Sequence, residues 1–355
     1  MRKRYGFRRV LPLCSGVFGA RLPRCGKAPW SGGRTRLCSP SFELLSPFLP
    51  IALFLATAPA PDSGDGRGEA LSIRLDRPFR VGQVFSYAAV GRTYRQTVVS
   101  TEGAVVNESV RGARCELAGA LSIDEVGEDG RPRALSLKVF RLVMRDGFSA
   151  EDDDADLGKQ PLASGTELSV RFPHGGAAEP EVAVAAGPEL DPGVVAALLL
   201  VLPRPAARNH DALFGRQAPA KHGERWPIDA SGAARALATG GIEVEPERLV
   251  GEARITADEE DSGAYQVEVT LRGSRAGVPL PRGYATRAGE LHVRLGRTLP
   301  EDPSLPLLRE EEEYSLHGHA LGREGDRLLT VDMAFHQTLR ARYQEIGEVA
   351  TGAAD

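Results

Sequence analysis

The sequence predicts a mainly β protein, a β-rich α+β fold. Long antiparallel strands form a meander or half-barrel, with one apolar helix near residues 191–203 and a short helix near 230–239. Three observations predict this. Apolar and polar residues take turns with period two through most of the chain after residue 70. Turn formers are plentiful, with 40 Gly and 25 Pro in 355 residues, enough to separate many strands. One run, Val194–Leu202, is apolar without alternation and is bounded by Asp191-Pro192 before it and Pro203 after it.

In chain order, Leu71-Ser72-Ile73-Arg74-Leu75 alternates, as do Phe85–Val99, Cys115–Ile123, Leu135–Val139 and Leu168–Phe172. Each reads as a strand with one dry and one wet face. The acidic stretch Glu151–Asp156 lacks the spacing and the glycine of a calcium loop and reads as a solvated loop. At Asp191-Pro192 an N-cap residue precedes a proline suited to the first helical position, so Val194–Leu202 is expected to be helical. Apolar on every side, that helix must be covered, either plugging a β shell or lying between sheets. A second helix is expected over Ser231–Thr239, ending at Gly240-Gly241. Five strands then follow, carrying Ala253/Ile255, Val267/Val269/Leu271, Leu291/Val293/Leu295, Leu316/Ala320 and Val331/Met333/Phe335 on their apolar faces. The organisation expected is a leader over 1–60, a linker over 61–70, an N-terminal β half over 71–190, a helical connection over 191–240, an antiparallel meander over 241–350 and a tail over 351–355. Arg80-Val81-Gly82-Gln83-Val84-Phe85 echoes Lys221-His222-Gly223-Glu224-Arg225-Trp226; a turn glycine before an aromatic strand start is common in β proteins, so chance is the better reading, the alternative being two β halves joined by the apolar helix.

Charge is distributed unevenly. Residues 1–60 hold ten Lys/Arg and one acid, leaving 34 bases and 47 acids in the rest, so a net charge of −4 hides a basic leader on an acidic body. Such a body repels phosphates, which argues against nucleic acid as a partner. The leader ends in an apolar run, Leu44–Leu55, followed by Ala56-Thr57-Ala58-Pro59-Ala60. Basic segment, apolar segment and small-residue end describe a secretory signal peptide, so the protein is expected to be exported, to a periplasm or the outside. The alternatives are an uncleaved anchor or an Arg-rich transit peptide. The run is too short for a comfortable membrane span and nothing else approaches one, so a polytopic membrane protein is excluded. Only Cys115 follows the leader, alternating with Leu117, and it reads as a buried, inert thiol. A chain rich in Arg, Ala and Gly and poor in Lys suggests a bacterial host.

No G-x-S-x-G, S-x-x-K, H-E-x-x-H, C-x-x-C, G-x-G-x-x-G or Walker A sequence occurs, so the common local signatures of hydrolases, zincins, Rossmann enzymes and P-loop NTPases are missing. One constellation has metal-ligating chemistry: His292, His317 and His319 fall on the polar faces of neighbouring strands. Strand parity permits His317 to face Thr330 or Asp332, and His292 to face His317 or His319. With Asp332 these side chains form a ligand set that suits Zn²⁺.

Two functions follow. The first is a non-enzymatic exported binding or scaffold protein for an apolar ligand or a protein partner, with Val278-Pro279-Leu280-Pro281 and Pro306-Leu307-Leu308 as apolar lips. In outline the long amphipathic strands around an apolar helix resemble the architecture of periplasmic carriers of lipidated cargo, which implies an apolar ligand held inside the sheet. The alternative is a metal-binding protein or metal-dependent hydrolase using His292, His317, His319 and Asp332.

Overall fold

The period-two alternation becomes a single eleven-stranded antiparallel sheet in the computed structural model. The model describes residues 70–146, 158–173, 180–203, 210–216, 218–239, 241–258, 260, 263–278, 280, 284–324 and 326–348. The expected signal peptide, the linker up to residue 69, the acidic loop 151–156 and the tail lie outside the described residues.

The chain lays down β1 (Gln83–Thr101), β2 (Ala104–Val126), β3 (Pro132–Asp146), β4 (Glu167–Arg171) and β5 (Glu181–Val184), each beside the last. Three helices follow: α1 (Pro192–Val201), α2 (His210–Phe214) and α3 (Ala230–Thr239), with β6 (Arg225–Pro227) between α2 and α3. From β6 at the opposite edge the chain returns through β7 (Leu249–Ala257), β8 (Ala264–Ser274), β9 (Tyr284–Pro300), β10 (Arg309–Glu324) and β11 (Arg327–Glu348). The last strand pairs with the first, so the order is β5-β4-β3-β2-β1-β11-β10-β9-β8-β7-β6 and the sheet stays open at β5 and β6. The five-strand C-terminal meander is as the sequence predicts, and so are α1 and α3.

The structure departs from the expectation in several places. Leu71–Leu75 is not a sheet strand: it makes one bridge, Leu71 with Ala220, and then runs as an extended strap. Its alternation still has a cause, since Ile73 and Leu75 point into the core. The short elements β5, β6 and α2 carry too few residues for a period to show. Pro306 and Leu307 are buried in the core and form no lip.

One face of the sheet shares a single core with the helices. Leu135, Leu137, Leu168 and Val170 on one limb, and Ala253 and Ile255 on the other, are all fully buried in it. A flat sheet of eleven strands would be about 50 Å wide, whereas a helix is about 10 Å across. So few helices seal so many strands only if the limbs curl round them, as a half-barrel does. Asp191 caps α1 by accepting from the backbone N–H of Gly193 at 2.8 Å. The helix then packs on the central strands, where Tyr87 donates its hydroxyl to the Val201 carbonyl. Gly91 faces α1 without a side chain because a Cβ there would fall on the Leu200 carbonyl.

The echo of Arg80–Phe85 in Lys221–Trp226 is matched in geometry. Gly82 (φ 88°) and Gly223 (φ 84°) both take the left-handed conformation that glycine adopts at no steric cost. Each donates to a neighbouring strand, to Ile123 O at 2.9 Å and Ile255 O at 2.8 Å, and Gln83 and Glu224 close equivalent turns onto Arg80 and Lys221. β1 and β6, both beginning at these turns, therefore enter the sheet in the same way.

Candidate functional site

Two regions combine concavity with chemistry. The first surrounds α1. Its inner side is sealed, with Leu198, Val201 and Leu202 at most 1% exposed. Its other flank has no polar residue to offer water: Val195 and Leu199 are half-buried and Ala196 is exposed. Beside the start of the helix lies a cleft of about 580 Å³, lined on the apolar side by Leu162, Val184, Leu190 and Val194. Glu167, Glu189 and Asp191 supply its polar rim. Pockets of a few hundred Å³ with apolar walls and a few polar groups are the usual form of a small-molecule site.

The second region is the outer face of β9, β10 and β11. The hairpin turns between Glu324 and Arg327, which sets His319 opposite Asp332 and His317 opposite Ala334. On the other side His317 faces Glu290 and His292 faces Ser315. The parity expected of the strands holds. The expected pairs His317–Thr330 and His317–Asp332 do not form because the turn between β10 and β11 falls later than the sequence suggests, and His292–His317 and His292–His319 do not form because the connection between β9 and β10 sets His292 opposite Ser315. His319 and Asp332 are joined by a 2.7 Å hydrogen bond between Nδ1 and Oδ1. His317, His319 and Asp332 line one outer-face concavity of about 360 Å³, together with Glu290, Gln96 and Val98. His292 is not among its lining residues. Among the described residues, no three His, Cys, Asp or Glu side chains already stand together as a metal cage.

A third cluster, invisible to the sequence reading, is buried where the strap crosses the sheet. Asp76 of the strap lies 3.4 Å from Nδ1 of His210, and the Asp211 backbone N–H donates to Asp76 at 3.2 Å. Arg297 of β9 donates to Glu310 at 2.5 Å and to the Leu75 carbonyl at 3.0 Å. Burial pushes the His210 pKa below its usual range, and the nearby Arg297 charge pushes it the same way. Burial raises the Asp211 carboxyl. Arg77 fastens the strap further, donating to the Pro300 carbonyl at 2.7 Å and the Tyr265 hydroxyl at 3.0 Å. A cluster of perturbed groups can mark an active site. Here Arg77 and Arg297 tie the strap to the sheet, Asp76 ties it to α2, and the arrangement is a latch. One sequence signal pointed to it: Arg297 continues the apolar parity of Leu291, Val293 and Leu295, and Glu310 that of Tyr314 and Leu316. Cys115 is fully buried with its thiol pushed up to about 12, chiefly by burial, and is unreactive.

No family model and no curated protein matches this sequence. Among solved structures, lipovitellin, from a study of its lipid–protein interactions, aligns at 11% identity over 78% of this chain with a TM-score of 0.33. This chain spans 26% of the lipovitellin chain. An outer-membrane channel from Pseudomonas putida F1 aligns at 10% identity over 77% of this chain and 100% of its own, with a TM-score of 0.17. Ail, the attachment invasion locus protein of Yersinia pestis, aligns at 5% identity over 72% of this chain and 98% of its own, with a TM-score of 0.12. Likenesses at this level establish neither a common fold nor a common function. Among the described residues no helix is long and apolar enough to cross a membrane.

Proposed function

We propose that the protein is a non-enzymatic binding module that holds an apolar ligand against α1. One observation carries this reading: a helix apolar on every side contributes Val194 of its first turn to a cleft of ligand size, whose other apolar walls are Leu162, Val184 and Leu190. A helix whose only task is to complete a core needs a polar outer side, and this one has none. Apolar side chains walling a concavity, here Leu162, Val184, Leu190 and Val194, are what an apolar ligand would cover. The absence of local catalytic signatures in the sequence supports the same reading.

The test is titration of the full chain with a polyene fatty acid whose fluorescence rises on leaving water. Saturable binding is expected, abolished in Leu162→Glu/Leu190→Glu, which charges two apolar walls of the cleft, and unchanged in Val250→Glu, which places the same charge at an exposed outer-face valine. No saturable binding, or equal binding by all three proteins, overturns the proposal and favours a scaffold for a protein partner.

We further propose that the protein is exported, on the strength of the basic leader, the apolar run Leu44–Leu55 and the Ala-x-Ala ends at Ala58 and Ala60. Intact mass of the protein recovered from the cell envelope or medium tests this. A chain beginning near residue 59 or 61 supports cleavage and export, whereas an intact leader in the cytosolic fraction overturns it.

A further inference from the structure

The outer-face concavity is independent of the apolar-ligand reading, because it lies on the opposite side of the sheet from α1. β10 presents His317 and His319 there two residues apart, so their Cβ atoms stand about 6.6 Å from one another. That separation lets two imidazoles lean toward one ion between them. Glu290 faces His317 across β9, and Asp332 faces His319 across β11. The floor between them is made of small residues, Ala288, Gly289, Gly318 and Ala334, which leaves the space open. His319 Nδ1 lies 2.7 Å from Asp332 Oδ1; with the carboxylate accepting, Nε2 of the neutral ring is the nitrogen left to bind a cation. A carboxylate behind an imidazole in this way is the usual orienting arrangement at metal sites. His317 and Glu290 are exposed, so each can turn to a new rotamer without breaking core packing.

We propose that His317 and His319 chelate a divalent first-row transition-metal cation, with Glu290 as the third ligand and Asp332 as a positioning residue. His292 and His336 take no part, since both face Ser315 one pleat away. Nitrogen ligands on a flat, open site favour the upper end of the divalent series, so Cu²⁺ is the sharpest probe and Zn²⁺ the next.

The experiment is titration of the full chain with Cu²⁺, followed by calorimetry and by electron paramagnetic resonance. One equivalent with hyperfine structure from imidazole nitrogens is expected. Affinity falls tenfold or more in His317→Ala and in His319→Ala, and the nitrogen signal disappears in the double variant. Asp332→Asn weakens binding by about tenfold, as loss of such an orienting partner does, and Asp332→Glu restores it. His292→Ala and His336→Ala bind as the parent does. All these residues are on an exposed sheet face, so circular dichroism is expected to be unchanged throughout. A nitrogen-ligated equivalent that survives in the double variant, or that is lost equally in His292→Ala, overturns the proposal. So does the absence of any such equivalent in the parent protein. None of these outcomes bears on whether an apolar ligand binds at α1.

Discussion

The long central strands pass through two environments, and the contrast between them separates pattern from burial. In their lower part, β1 carries Phe85, Tyr87 and Ala89, β2 carries Cys115, Leu117, Leu121 and Ile123, and β11 carries Leu339, Ala341 and Tyr343, all buried under α1 and the strap. In their upper part, past Gly91, the same inner parity continues with Thr93, Arg95 and Thr97 on β1 and with Phe335 and Met333 on β11. These residues are only half-buried. Alternation fixes which face a side chain takes, but the element lying on that face decides whether it is dry. The lower part therefore carries the main core, whereas the upper part is half-open beyond Gly91 and closes again only at Leu329 and Val331 near its tip.

Substitutions that test this contrast differ most where a charge is buried. Glu310→Gln leaves Arg297 in a nearly enclosed place with half its ion pair gone, and about 3 kcal/mol of stability should be lost. Leu198→Ala, at the sealed side of α1, should cost a similar 2–5 kcal/mol, whereas Phe335→Ala in the half-open part should cost about 1 kcal/mol or less. Denaturant midpoints at constant slope read all three. Equal losses for Leu198→Ala and Phe335→Ala would mean that α1 does not divide the sheet as described. Glycines sharpen the point at smaller magnitude. Gly91→Ala drives a methyl group onto the Leu200 carbonyl and should cost about 1–3 kcal/mol, while the Cβ of Gly318→Ala meets only Met333 at an ordinary 3.5 Å and should be close to neutral.

The same contrast explains what was legible in the sequence. Strands with eight or more alternating residues, and a helix with both its caps written as Asp-Pro and Pro, show their type locally. β5 and β6 span four and three residues and α2 five, too short for periodicity to rise above chance. The pairing of β1 with β11 joins residues some 250 positions apart and leaves no local mark. The histidine geometry was half legible. Parity placed His317, His319 and Asp332 on one face, but register depends on where a two-residue turn falls, and a shift of that turn exchanged His317 for His319 opposite Asp332. Glu290 escaped notice because an acid on a wet face looks ordinary. The latch residues were written as charges on the apolar parity, a local conflict that marks a functional or structural device. Their partners come from a strap that itself looks like a strand.

Acid is the gentler probe of the latch. His210 is held neutral by burial among Asp76 of the strap, Asp211 of its own helix, Arg297 of β9, and Glu310 and Glu312 of β10. Its folded pKa lies below the ordinary 6.5, so between pH 7 and 5 the unfolded chain takes up a proton that the folded chain refuses. Stability from this group is present above about pH 6.5 and drains as pH falls below it. Asp211, raised by burial, works in the opposite direction, so the informative quantity is a difference. Denaturation midpoints at pH 7.5 and 5.5 should fall further for the parent than for His210→Phe, which keeps the stacking on Phe214 but cannot be protonated. Parallel falls would show that His210 is not the group refusing the proton.

The smallest expected effect lies on the wet side of the meander. There Glu268 accepts from Arg254 at 2.6 Å and from Arg294 at 3.3 Å, and its carboxyl is held below the usual range by these two guanidinium groups despite partial burial. On paper this triad looks as strong as Arg297–Glu310. It differs in being open to water, which screens the charges and leaves each of them solvated when a partner is removed. Glu268→Gln should therefore cost about 0.5 kcal/mol, and that cost should shrink further in 0.5 M salt, while the loss in Glu310→Gln should barely respond to salt. The two variants, followed side by side through a salt series, separate a charge pair that seals the strap from one that only decorates the sheet. If both respond to salt alike, the strap cluster is open to water and is no latch.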